Sequence, residues 1–229
     1  MTSAIIVAAG RGTRMGPQID KLFLEVAGAP VIAHTWRRFD EAKSVDEIVL
    51  VIRDGFQDAF ANLAASLPRP PSKPYRFALG GKERQDSVWN GLLAVAPETS
   101  VVAIQDGARP CTPAELIDAA IDAARETGAA VAAQRVSDTI KQSDDGQIIA
   151  RHLDRSRLWA VQTPQTFRLE VIRRALQAVR DRGVTVTDDT AACELIGQPV
   201  RLVECAQPNP KVTVPGDLPY IGLLLGNSR

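Results

Sequence analysis

Short unbroken apolar runs alternate with amphipathic stretches along the whole of this chain. Ala4–Ala9 (A-I-I-V-A-A) is closed by Gly10, and Ile48–Ile52, Val101–Ile104 and Ala129–Ala133 are of the same kind. Runs of this length with no polar interruption predict strands buried on both faces of a parallel sheet. Arg76–Leu79, Trp159–Val161 and Val200–Val203 are weaker candidates. Helical patterns lie between them. The clearest spans 113–127, with Thr112 placed to cap it, Pro113 at its first position and Glu115 three residues after the threonine. That arrangement predicts a capping box. Leu116, Ile117, Ala120, Ile121 and Ala124 give one apolar face, and Gly128 ends the helix. Arg168–Arg182, stopped by Gly183, predicts a second helix, and Ser87–Ala96 and Pro30–Phe39 two more. The β-α-β-α order predicts an α/β fold, a mostly parallel sheet with helices on both faces.

One segment departs from the alternation. Asp138-Thr139-Ile140-Lys141 and Gln147-Ile148-Ile149-Ala150 flank Ser143-Asp144-Asp145-Gly146, a hairpin signal. It carries too little apolar surface to be a core element, so 137–156 reads as a protruding β-arm. A second copy of the chain is its simplest partner. Arg69-Pro70-Pro71-Ser72-Lys73-Pro74 is a stiff surface linker, and the whole of 1–229 reads as one domain.

Composition narrows the functions. Lys+Arg and Asp+Glu are both 27, which argues against general nucleic-acid binding. No apolar stretch is long enough to span a membrane, and no positive region precedes the first apolar run. Cys111, Cys193 and Cys205 are far apart and His34 and His152 are the only histidines, so a Cys/His zinc site is not expected. Reduced, partly buried thiols fit a cytoplasmic protein.

The first strand runs into Ala8-Ala9-Gly10-Arg11-Gly12-Thr13-Arg14-Met15-Gly16, with Lys21 five residues on. Glycines at the carboxyl end of a strand let backbone N–H groups approach an anion, on the edge where α/β sheets bind ligands. The spacing is G-x-G-x-x-x-G, unlike the dinucleotide fingerprint, and no acid follows at the tip of a second strand. A P-loop would need G-K-[ST], which is absent. A triphosphate cradle fits better, because Arg11, Arg14 and Lys21 are opposed only by Asp20. One cation about 4 Å from a phosphate charge is worth about 4 kcal/mol at an effective dielectric near 20. A solvated loop with surface arginines is the plain alternative. Asp106 follows a second buried strand and falls on the same edge; a hard oxygen there suits Mg²⁺ held jointly with phosphates. The alternative is a local turn, with Asp106 capping backbone and Arg109 exposed.

Further segments carry a resemblance. Ala8-Ala9-Gly10-x-Gly-x-Arg14-Met15 with Lys21 is similar to the signature of nucleotidyltransferases. Gly80-Gly81-Lys82-Glu83-Arg84-Gln85-Asp86-Ser87-Val88, Asp106-Gly-Ala-Arg109-Pro110, Asp138-Thr139-Ile140-Lys141 and Asp154-Arg155 come next in order. Gln162-Thr163-Pro164-Gln165, Thr187-Asp188-Asp189 and Asn209-Pro210-Lys211-Val212-Thr213 complete the set. Over residues 4–218 the chain resembles the 2-C-methyl-D-erythritol 4-phosphate cytidylyltransferase family. It departs from the family pattern at Val7, at Lys82 where an acid is usual, and at Gln105 and Gly107.

The resemblance implies a Rossmann-like sheet of the nucleotide-diphospho-sugar transferase type. It implies that CTP and methylerythritol phosphate give CDP-methylerythritol and pyrophosphate, with Mg²⁺. Arg14 and Lys21 would stabilise the transition state, and Arg155 and Lys211 would hold the attacking phosphate. Ala8, Ala9, Gly10, Gly12, Gly81 and Ser87 would hold the nucleotide. Asp106 would sit beside the metal and both substrates, with Arg109, Thr139, Thr163 and Thr187 nearby. The arm would cross to a partner subunit of a homodimer, bringing Thr139 and Arg155 in trans. A cytidylyltransferase for another polyol phosphate, such as ribitol 5-phosphate, and a non-catalytic nucleotide-binding module are the competing expectations.

Overall fold

The apolar run that opens the chain forms β1 (Thr2–Val7), buried along nearly its whole length. It lies between two equally apolar parallel strands, β4 (Glu47–Ile52) and β6 (Val101–Asp106). The structure is a computed structural model and describes residues 1–10 and 20–226. Arg11, Gly12, Arg14 and the rest of the glycine loop through Ile19 therefore lie outside the described residues.

Beyond β4 the sheet ends in β5 (Tyr75–Leu79), whose half-exposed side chains explain its weak apolar pattern. Beyond β6 comes β10 (Trp159–Arg168), antiparallel to β6 and also to β7 (Ala129–Arg135). The outermost strand is β11 (Arg201–Glu204), parallel to β7. The order is thus β11-β7-β10-β6-β1-β4-β5, a seven-stranded sheet with β10 running against the rest. The expected α/β architecture is what the chain adopts.

Helices cover both faces. On one side α1 (Val31–Glu41), α2 (Gln57–Ser66), α4 (Ala114–Thr127) and α7 (Asp217–Gly226) bury Trp36, Phe39, Phe60, Ile121 and Ile221. On the other, α3 (Arg84–Ala94), α5 (Leu169–Arg182) and the short α6 (Asp189–Glu194) bury Leu92, Ile172, Leu176 and Cys193 around Phe167 of β10. Gly128 and Gly183 end α4 and α5 at φ of 90° and 62°, the left-handed conformation that makes glycine the residue of choice there.

The predicted capping box of α4 does not form. Pro113 stands at its N-cap and no side chain caps it. Thr112 is drawn elsewhere: its hydroxyl accepts from Gln105 Nε2 at 2.9 Å and donates to Asn209 Oδ1 at 3.0 Å. A capping box forms instead on α3, between Glu83 and Asp86. This reciprocal cap fixes the start of the helix that carries Arg84 and Ser87.

The hairpin arm is present, but its pairing differs from expectation. β8 (Lys141–Gln142) pairs with β9 (Arg151–His152), Lys141 opposite His152, so 143–150 is a long loop and not a tight turn. Asp145 causes this locally. Its Oδ1 accepts from the N–H groups of Gln147 and Ile148 at 2.8 and 2.9 Å, which removes them from any ladder. No residue from Arg135 to Leu158 is buried, and Ile148 and Ile149 stand 72 % and 62 % exposed at the arm's end.

A small hairpin of β2 (Glu25–Val26) and β3 (Ala29–Pro30) leads from the glycine-loop region into α1. His34, buried in α1, donates from Nε2 to the Val26 carbonyl at 2.7 Å. Burial, and secondarily Arg37, keep its pKa below the ordinary 6.5 against the pull of that carbonyl. A group depressed in this way contributes stability above its unfolded pKa and loses it as pH falls through the folded one. Wild-type protein should therefore lose stability below about pH 6.5, by at most about 1.4 kcal/mol per pH unit from this one proton. Unfolding curves of wild type and His34→Gln over pH 5–7.5 check it, and equal acid losses in both would show that His34 is not responsible.

Candidate active site

Parallel strands deliver their following loops to one edge. Val7 lies opposite both Val51 and Asp106 in register, so β1, β4 and β6 end level with one another. Ala8, Gly80 and Gly107 continue the ladder by one bond each, from their N–H groups to Val51, Ile52 and Val7 carbonyls at 2.8, 2.8 and 2.9 Å. The three loops then turn outward around a cleft of about 480 Å³.

One wall is backbone-rich. A Cβ on Gly80 would stand 2.3 Å from the Ala9 Cβ, and one on Gly81 would stand 2.3 Å from the Asp86 Cβ. The loop from β5 to α3 can close on the first loop at Gly80 and on the start of α3 at Gly81 only because both positions lack a side chain. The Gly81 N–H donates to Ser87 Oγ at 3.0 Å, and Ser87 donates on to the Glu83 carbonyl at 3.2 Å. Ala9, Gly10, Gly81 and Ser87 all face the cleft. Ala8 is buried beneath it, its N–H committed to β4.

The opposite wall is charged, and Asp106 is its centre. Lys211 Nζ lies 2.8 Å from Asp106 Oδ2, Arg109 Nε 3.6 Å from the same oxygen, and Arg84 Nε 3.5 Å from Oδ1. Burial pushes the Asp106 carboxyl up, but Lys211 first and then Arg84 and Arg109 outweigh it and hold it at about 2. Arg84 also reaches Asp189 through Nη1 at 2.8 Å. Burial works against its charge, yet Asp189 and then Asp106 raise its pKa above the ordinary arginine value. Asp189, its side chain 1 % exposed, has its carboxyl pushed up by burial against the pull of Arg84.

Lys21 enters from the glycine-loop side. Its Nζ donates at 2.8 Å to the carbonyl of Val212, the residue after Lys211, so both lysines line one cleft. Asp20, the acid opposing the loop cations in sequence, is turned away to an ion pair with Arg53 just past β4. Its charge is thereby met outside the cleft.

The remaining expected residues divide clearly. Thr163 is buried and its Oγ1 accepts from the Asp106 N–H at 3.1 Å, so it braces the tip of β6. Arg109 also donates to the Asn209 carbonyl at 2.7 Å. Thr187 is exposed on the turn ahead of α6. Thr139 and Arg155 are exposed on the arm and do not line the cleft of their own chain; Arg155 donates to the Ser137 carbonyl instead. Arg84, Asp189, Gln165 and Asn209 carry no role that the sequence pattern suggests, yet they hold Asp106 and Arg109 in place.

Among the described residues no three His, Cys, Asp or Glu side chains group to hold a metal ion. Among the described residues the cleft offers a hard cation two carboxylates, Asp106 and Glu83, of which Asp106 stands at the tip of β6 and is held ionised. That suits Mg²⁺ only where phosphate oxygens complete its shell.

The profile of the 2-C-methyl-D-erythritol 4-phosphate cytidylyltransferase family matches residues 2–226. The chain belongs to this family. Among cytidylyltransferases of that name, the one from Geobacillus kaustophilus is 42 % identical over 224 residues, covering 98 % of this chain and 96 % of the relative. The one from Bacillus velezensis is 43 % identical over 215 residues, covering 93 % and 91 %. The crystal structure of the 4-diphosphocytidyl-2C-methyl-D-erythritol synthase from Anaerococcus prevotii superposes with a TM-score of 0.85 at 30 % identity, over 98 % of each chain. The cytidylyltransferase family is one of nucleotidyltransferases, which are group-transfer enzymes. No helix among the described residues is long and apolar enough to cross a membrane.

Proposed function

We propose that this chain transfers CMP from CTP to 2-C-methyl-D-erythritol 4-phosphate, giving CDP-methylerythritol and pyrophosphate for non-mevalonate isoprenoid precursor synthesis. The observation that carries the reading is the convergence of Lys21 and Lys211 on one cleft that has an ionised Asp106 and a glycine-lined wall. An acceptor phosphate oxygen attacks the α-phosphorus of CTP, and the bond to the bridging oxygen of the leaving pyrophosphate breaks. The attacking group is already an anion, so no general base is required. The protein's work is alignment and charge neutralisation.

Each residue's role follows from that division of labour. Ala9, Gly10, Gly12, Gly81 and Ser87 cradle the cytidine end, with Ala8 supporting them from beneath. Arg14 and Lys21 serve the triphosphate, where fixed cations act most strongly as charge builds on pyrophosphate. Lys211 and Arg155 hold the acceptor phosphate, with Arg109, Thr139, Thr163 and Thr187 around the polyol. Asp106 would hold Mg²⁺, which would supply further charge neutralisation of the phosphates. The arm, 137–156, reaches a second copy of the chain in a cytoplasmic homodimer and brings Thr139 and Arg155 to that copy's cleft. The exposed Ile148 and Ile149 give the arm an apolar end suited to such a contact.

The test is pyrophosphate release from CTP and Mg²⁺ with methylerythritol phosphate, and with ribitol 5-phosphate in a parallel arm. Release with the first acceptor supports the reading. Release only with the second reassigns the acceptor, and none above background overturns the reaction.

A further inference from the structure

Asp106 has three cationic partners, and they are not equivalent. Lys211 is the nearest and is a third exposed, a point charge on a flexible stem. It is the partner able to turn from Asp106 to an arriving phosphate. Arg109 is tethered to the Asn209 carbonyl. Arg84 is held from behind by Asp189, and among the described residues Arg84 is the only ion-pair partner Asp189 has. A buried carboxylate is tolerated only while it is paired. Arg84 also lines the cleft, but its Nε and Nη1 are committed to Asp106 and Asp189, and it cannot swing to a substrate phosphate without stranding Asp189.

Asp189 is itself fixed. Its N–H donates to Gln165 Oε1 at 2.9 Å, and Gln165 Nε2 donates to Asp188 Oδ2 at 3.0 Å. Gln165 lies opposite Ile104 in the β10–β6 register, two residues before Asp106. The chain of contacts thus closes on the strand pair that carries Asp106.

We propose that Asp189 is a buried anchor that keeps Arg84 on Asp106, making Arg84 a positioning residue of the transfer reaction and not a ligand of the phosphates. The proposal rests on the reaction assigned above. Arg84 holds the orientation of Asp106 when Lys211 changes partner, and Asp189 keeps Arg84 from following it.

A double-mutant cycle tests the anchor, with thermal melts on every variant. Asp189→Asn in wild type should lower kcat by about 10–100-fold, the penalty of a misplaced group, with KM for CTP moved less than about threefold. In an Arg84→Gln background the same change should cost less than about twofold, because the relay is already cut. Arg84→Lys should fail to rescue Arg84→Gln, since an ammonium cannot span both carboxylates. Equal losses in the two backgrounds, a loss confined to KM, or full rescue by lysine each overturn the proposal. If Asp189→Asn does not fold, the comparison of lysine with glutamine at 84 decides alone. If unmodified protein proves inactive, the assigned reaction falls, and crystals of Asp189→Asn decide the anchor separately. There Arg84 leaves Asp106 if Asp189 holds it, and stays in contact if it does not.

Discussion

Lys211→Ala should lower kcat by about 10²–10³-fold while the thermal midpoint scarcely moves. Lys211 is the closest cation to Asp106, at 2.8 Å, and lines the cleft together with Lys21, which is bonded to the carbonyl of the next residue, Val212. In the proposed reaction it holds a phosphate in line, and loss of one pre-oriented charge costs about 3–4 kcal/mol of barrier. Stability is another matter. The lysine side chain is 36 % exposed, and an ion pair open to water on that side contributes about 0–1 kcal/mol. Arg84 and Arg109 remain to keep Asp106 ionised at neutral pH. Steady-state kinetics beside a thermal melt separate the two effects, and an unchanged kcat would remove Lys211 from the mechanism.

Arg155→Ala and Lys211→Ala should each be nearly inactive alone, yet regain about a quarter of wild-type activity when their subunits are mixed and exchanged. Arg155 sits on the arm, outside the cleft of its own chain, in a short turn of 3₁₀ helix capped by Asp154. Under the proposed arm exchange, each site takes Lys211 from one copy and Arg155 from the other. Random exchange makes about half the dimers mixed, and in each of those one site in two is intact. Pyrophosphate release from co-refolded variants reads this directly. A mixture as inactive as its components would show that the arm serves its own chain or no site at all.

The central strands β1, β4, β6 and β7 are legible because they are apolar on both faces, whereas the edge strands β5 and β11 show only weakly. β10 shows only in part, at Trp159–Val161, although the strand extends to Arg168. Its inner half carries buried polar residues, Thr163, Gln165 and Thr166, and these serve the active-site edge and the adjoining α4. The cap of α4 departs from the sequence pattern for a related reason, since Thr112 is drawn to Gln105 and Asn209. α6, at six residues, is too short for a helical period to appear. In the site, the cationic loop with Lys21 and Asp106 are legible from strand ends and glycines, whereas Lys211 comes only from the family resemblance. The Arg84–Asp189 pair is not legible, because 105 residues separate them and only the folded sheet brings them together.

β10 has a last consequence. Its inner residues, Gln165–Phe167, are gripped on both sides by β6 and β7, whereas Trp159–Val161 touch β7 alone. The arm therefore hangs from a half-fastened strand, ahead of a register shift that isolates it from the centre. Lengthening or rewriting the arm leaves the pairing of the inner strands untouched. The arm is thus free to change in length and sequence while the inner strands that end at the cleft keep their partners.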